Sequence, residues 1–171
     1  SSDLEKSMYG LAQLFLLPVL TLIVVLFLYA FVVLGAFAFD SWRRHRGGAR
    51  PLLQAYAANP ALGSDDLDLI AHRLLEPARI ASRVTPMMGL VATMIPMGPA
   101  LKGLSDGNLG QVSDNLAVAF AAVILALIAA AITFWVVSVQ RRWLAEELVW
   151  LQRQGVRTPA AGHLAEAGAE A

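Results

Sequence analysis

The chain has 171 residues, of which 57% are apolar and only 15% charged, and its thirteen basic and thirteen acidic side chains cancel. That balance leaves little chain for a water-facing domain and points to a small polytopic membrane protein with no nucleic-acid partner. Cysteine is absent, which excludes a disulfide framework, thiol chemistry and Cys-based zinc sites.

Residues 1–10 form a short, mildly acidic terminus in which Asp3 and Glu5 outnumber Lys6. Leu11 to Phe39 is then free of charge over twenty-nine positions, long enough for a first membrane helix. Ala36-Phe37-Ala38 has the form of a signal-peptidase site, but the run is too long for a signal's hydrophobic region and its flank is not basic. Pro18 falls in the first turns, where neighbouring groups or interfacial water can take up the carbonyl it frees.

Residues 40–83 read as a cytoplasmic helical segment. Arg43, Arg44, His45, Arg46 and Arg50 make a basic cluster that marks the cytoplasmic flank of a span and is also suited to anionic lipid head groups. After the breaks at Asn59-Pro60 and Gly63, Ser64 or Asp65 is expected to cap a helix whose apolar positions Leu67, Ile70, Leu74, Leu75 and Ile80 share a face, with a kink at Pro77. Asp65, Asp66 and Asp68 suit the positive end of that helix, since the glycine and distal glutamate of a calcium loop are missing. His45, His72 and His163 form no ligand pattern, so no metal site is expected.

Two further uncharged runs, residues 84–101 and 115–139, flank a polar, glycine-rich loop at 102–114. At about 1.5 Å per residue they reach roughly 27 and 38 Å, against a hydrocarbon core of about 30 Å, and read as a helical hairpin in lipid. The first run contains Pro86, Gly89, Pro96, Gly98 and Pro99. Each proline removes a backbone donor and frees a carbonyl, which is tolerated at membrane depth only where protein, a hydroxyl or water satisfies it, so neighbouring helices are expected around this span. In the second run Ala119, Ala122, Ala126, Ala129 and Thr133 alternate by threes and fours, a stripe of small residues for close helix packing, expected to join copies of the chain. Phe120, Ile124, Leu127 and Phe134 fall on another face.

Residues 140–153 continue the helix out of the membrane, with Trp143 as an interfacial anchor, Leu144, Leu148 and Leu151 as an apolar stripe facing copies of the same helix, and Arg142 one turn from Glu146. Residues 154–171, rich in Ala, Gly and Glu, read as a disordered tail. Segments 40–83 and 140–171 hold eleven Lys and Arg, whereas 1–10 and 102–114 hold two. The positive-inside rule therefore puts the N-terminus outside and the C-terminus inside. The expected fold is an all-α membrane protein of three transmembrane helices, N-out and C-in, multi-pass in the cytoplasmic (inner) membrane, with a helical cytoplasmic extension.

No nucleophile with a neighbouring base, phosphate-cradling loop or ligand cluster stands out, so neither an enzyme nor a cofactor is expected. The three runs hold no Asp, Glu, Lys, Arg or His, the usual marks of a proton relay; the polar groups at depth are Thr93 and Thr133, with Thr85, Gln13, Thr21 and Ser138 nearer the ends and Tyr29 in the first span. A titrating group, if protons cross here, comes from another chain.

Thr85-Pro86-x-x-Gly89-Leu90-x-x-Thr93 resembles the Ala-Pro-x-x-Gly-Leu-x-Gly-Thr run that opens the second span of the MotA, TolQ and ExbB proton-channel family, and Leu116 to Leu127 resembles its third span. The resemblance covers about residues 84–139, and the three-span topology is similar to that of the ExbB and TolQ branch, with a compact cytoplasmic part. It implies a ring, a homopentamer, around single-span ExbD- or TolR-like partners whose membrane aspartate carries the proton, the complex working as a stator driven by the proton motive force. Thr93 matches the family's pore-facing threonine, and Thr133 is the second candidate for the ion path. The Thr93 hydroxyl can instead bond back to Gly89 or take up a carbonyl freed by a proline. Val123 stands where the third span usually has a second threonine, Val118 where ExbB has a glutamate, and Ala92 where a glycine precedes Thr93. That drier face leaves open a non-conducting oligomeric scaffold, and the prolines leave open a broken helix in an unrelated transporter.

Overall fold

The computed structural model describes residues 2–48 and 50–155, all of its regular structure helical: α1 (Ser2–Leu14), α2 (Leu16–His45), α3 (Pro51–Ala58), α4 (Ser64–Ser105) and α5 (Leu109–Arg153). Three stretches are long and apolar enough to cross a membrane: Ser2–His45, Ser64–Ser105 and Leu109–Arg153. The tail expected at 154–171 lies outside the described residues from 156 onward.

Helix ends follow local chemistry. Pro18 has no N–H for the Leu14 carbonyl and its ring crowds that group, so the chain breaks at Phe15, where α1 gives way to α2. The expected loop at 102–114 shrinks to Asp106-Gly107-Asn108, because helix stop and start signals are adjacent there. Gly107 takes φ 73°, its N–H donates to the Leu104 carbonyl and the Asn108 N–H to that of Gly103, closing α4 with a left-handed residue. Asn108 Oδ1 then accepts from the Gln111 N–H at 3.1 Å and caps α5. At the other end of α4 neither Ser64 nor Asp65 is the cap. The helix opens on Gly63, whose carbonyl accepts from the Leu67 N–H, while Asp66 Oδ2 reaches back to the Gly63 N–H at 3.1 Å, the carboxylate half of a capping box. From there α4 runs as one helix through Pro77, Pro86, Pro96 and Pro99, with no break at Pro77.

The chain divides into two compact units. The first, Ser1–Leu34 with Ile80–Phe134, is packed with small residues inside and large ones outside. Val19 and Ile23 of α2 meet Ala92 of α4 and Ala122 and Ala126 of α5 in its core, while Leu28, Val32, Leu90, Met94, Phe120 and Phe134 stand exposed. An apolar exterior of this kind suits lipid or a partner helix and not water, and small residues at the contacts let backbones close in where lipid provides no hydrophobic drive.

The second unit, Gly35–Arg79 with the chain from Trp135, has the opposite grain. Leu52 of α3, Leu67 and Ala71 of α4, and Leu144 and Leu151 of α5 form a core built mainly of leucine in place of the first unit's alanines. Two expectations change here. Leu144 and Leu151 are buried against α3 and α4 of their own chain and not against copies of α5, and of the expected α4 stripe Leu74 points outward, about half exposed, as does Ile80 in the first unit. The buried carboxylate of Glu147 accepts from Arg44 Nη1 at 2.8 Å and from the Leu52 N–H at 3.1 Å, so one side chain neutralises Arg44 and satisfies an unpaired donor in the first turn of α3.

Candidate functional site

Within the first unit α4 and α5 approach closely because glycine and alanine face each other. A Cβ added to Gly89 would stand 2.8 Å from the Ala126 Cβ and 3.6 Å from Val123 Cγ2, so these backbones meet with no room for a side chain on α4. Ala119, Ala122, Ala126 and Ala129 are all nearly fully buried within the single chain. This stripe is therefore a seam inside the protomer. The expectation that it joins copies of the chain is corrected, because a residue already covered by its own α2 and α4 has no surface to offer a second copy.

The prolines of α4 show how an interrupted helix is accommodated. Pro99 leaves the Ile95 carbonyl without its helical donor, and Gln13 Nε2 of α1 donates to that oxygen at 3.0 Å. Gly98 lies beside it against the Tyr9 ring, which an added Cβ would approach to 3.0 Å. Pro96 is fully buried and Pro86 half-buried.

Three threonines of the hairpin differ in what they leave open. Thr85 donates to the Ala81 carbonyl at 2.6 Å and Thr133 to those of Ala129 and Ala130 at 2.8 and 3.1 Å, and both are 1% exposed, so each is closed off inside the unit. Thr93 also bonds backwards, to Leu90 and not to Gly89, at 2.7 Å, but it is half-buried and its oxygen keeps a lone pair for an outside donor. At 100° per residue it lies on the same flank of α4 as Pro86, one turn beyond the Gly89 that touches Val123. Thr93 and Val123 thus border the same helix contact, whereas Val118 is exposed on α5. Among the described residues there is no group of three metal-ligating side chains.

Gln13 and Glu147 are the working polar groups that sequence reasoning did not assign. Pro99 announces that the Ile95 carbonyl needs a donor; nothing local announces that Gln13 supplies it. Nor does any spacing along α5 single out Glu147 from its neighbour Glu146, which pairs with Arg142 in solvent at 3.1 Å.

Three helices able to span a bilayer, with small residues at their contacts and large apolar ones outside, define a multi-pass membrane protein. Residues 71–152, which take in most of α4 and α5, match the MotA/TolQ/ExbB proton channel family, the family that the Thr85–Thr93 motif resembles. No curated protein and no solved structure matches it. The match points to a proton-channel-like membrane subunit, and the matched family is not a known family of enzymes.

Proposed function

We propose that the chain is the ring-forming subunit of an ExbB/TolQ-like motor in the cytoplasmic (inner) membrane, N-terminus out and C-terminus in, passing protons inward to drive a single-span ExbD/TolR-like partner in transport or envelope work. Thr93 carries this reading: it stands in the family motif and is the one hairpin threonine with an open face. No Asp, Glu, Lys, Arg or His lies in the three uncharged runs, which agrees with a proton carried by the partner's membrane aspartate. With its proton on the Leu90 carbonyl, the Thr93 oxygen can accept from that carboxyl group when protonated or from its water, and steadies the proton at the subunit wall. Subunits of a homopentamer would meet through surfaces other than the alanine seam, since that seam is spent within each protomer.

Valine at 93 keeps the shape of threonine and removes the hydroxyl. Thr93→Val is expected to leave the ring's native mass unchanged and to abolish proton uptake into vesicles that contain the protein and its single-span partner. Thr133→Val should do far less, its hydroxyl being turned onto its own helix. Undiminished uptake by an intact Thr93→Val ring would remove Thr93 from the mechanism. Absence of uptake in the wild-type complex, beside an active reference channel, would favour a non-conducting scaffold, the reading that Val118 and Val123 support.

A further inference from the structure

In the second unit a half-open cleft of about 320 Å³ lies between α2, α3, α4 and α5, at the small end of the range of ligand sites. One wall is held rigidly. Trp143 stacks on Phe37 with ring centres 5.0 Å apart, and Arg44 lies over the same indole at 5.0 Å while bonded to Glu147. That ion pair cancels its own charge. Four other polar side chains line the cleft, Asp40, Arg43, Gln54 and Gln140, and none of them has a hydrogen bond or ion pair with a described residue. Asp40 and Arg43 stand three residues apart on α2, in reach of one another, yet they are unpaired, and Arg43 makes only a ring contact with Phe39 at 5.7 Å.

What faces the cleft is one free carboxylate, one free guanidinium and two amides. An anion alone would meet Asp40 and a cation alone would meet Arg43, so the lining matches a ligand that carries both signs a few atoms apart. Depth narrows the choice further. Asp40 ends the uncharged run of α2 and Gln140 that of α5, so the cleft opens where both helices leave the hydrocarbon and enter the head-group layer, about 5–8 Å thick on each side.

We propose that this cleft binds the head group of a phosphatidylethanolamine-type lipid, its phosphate on Arg43 with amide donors from Gln54 and Gln140, and its ammonium on Asp40. Native mass spectrometry of the delipidated full chain in detergent tests it, with phosphatidylethanolamine and phosphatidylglycerol of the same acyl chains as probes and glycerophosphoethanolamine and inorganic phosphate as soluble competitors. One phosphatidylethanolamine per protomer should bind about fivefold tighter than phosphatidylglycerol, the worth of one partly solvated charge contact. Asp40→Asn should bring that ratio to about one by weakening phosphatidylethanolamine, and Arg43→Gln should weaken both lipids by about fivefold. Equal retention of the two lipids by the wild type, or unchanged binding in Arg43→Gln, would overturn the site. Displacement of the lipid by equimolar glycerophosphoethanolamine or phosphate would assign the cleft to a soluble ligand and overturn the membrane source. Should a charge variant fail to fold, Gln54→Leu on the exposed side of α3 serves in its place: weaker phosphatidylethanolamine binding supports the proposal and unchanged binding sinks it.

Discussion

Pro99 takes a donor from Ile95, and Gln13, eighty-two residues away in the chain, returns one. A leucine at position 13 keeps the bulk and loses the amide, so Gln13→Leu should destabilise the protein by about 1–2 kcal/mol through an unmet carbonyl in an apolar setting. Adding Pro99→Ala restores the N–H that Ile95 lacks, and the double variant should recover most of that loss in a detergent unfolding titration. Equal losses with and without Pro99→Ala would mean that Gln13 acts in some other way. Glu147 raises the same question for a charge. Replacing it by alanine strands Arg44 and the Leu52 N–H together, at about 3 kcal/mol, the low side for a broken buried pair because Arg44 keeps 19% of its side chain in solvent. Arg44→Leu combined with Glu147→Leu should recover much of the thermal stability, since a well-packed apolar pair avoids the desolvation of both ions. A double variant no more stable than Glu147→Ala would show that the pair is worth more than its desolvation.

At the scale of the elements, the contact of α4 with α5 is set by missing atoms. Gly89→Ala places a Cβ 2.8 Å from the Ala126 Cβ, and both are carried on backbone that no rotamer change can move. Overpacking of this kind costs about 1–3 kcal/mol, and Ala126→Gly in the same chain should return most of it. A double-mutant cycle on the folded fraction in detergent measures the coupling; purely additive losses would refute the contact. The same geometry revises what the alanine stripe was expected to do. Its spacing reported correctly that a helix comes close, but a stripe carries no address, and Val19, Ile23 and Ala92 of the same chain are the residues that occupy it. The stripe Leu144, Leu148 and Leu151 repeats the lesson in the second unit, where α3 and α4 fill the place expected for a copy of α5. Caps were only partly legible. The residues Asp106-Gly107-Asn108 could be seen to turn, whereas the assignment of Gly63 and Asp66 over Ser64 or Asp65 needed the hydrogen bonds themselves.

For the molecule as a whole, the distribution of basic residues makes a prediction independent of any site. With eleven Lys and Arg in segments 40–83 and 140–171 and two in 1–10 and 102–114, a reporter fused after Ala171 should lie in the cytoplasm and a tag at the N-terminus should be reachable from outside. Reversed accessibility in intact cells would overturn the orientation and the inward proton path built on it. The three membrane-capable helices and the family motif were open to reading because their causes are local: lipid demands that each span meet its own backbone bonds, which makes long uncharged runs visible, and Thr85 to Thr93 is one unbroken string. Which hydroxyl keeps an open face, which helix the small stripe meets, and where Gln13 and Glu147 find their partners depended on the tertiary structure. The contacts that decide these points join residues 82, 95 and 103 positions apart, and no periodicity along one helix encodes the surface brought against it from so far along the chain.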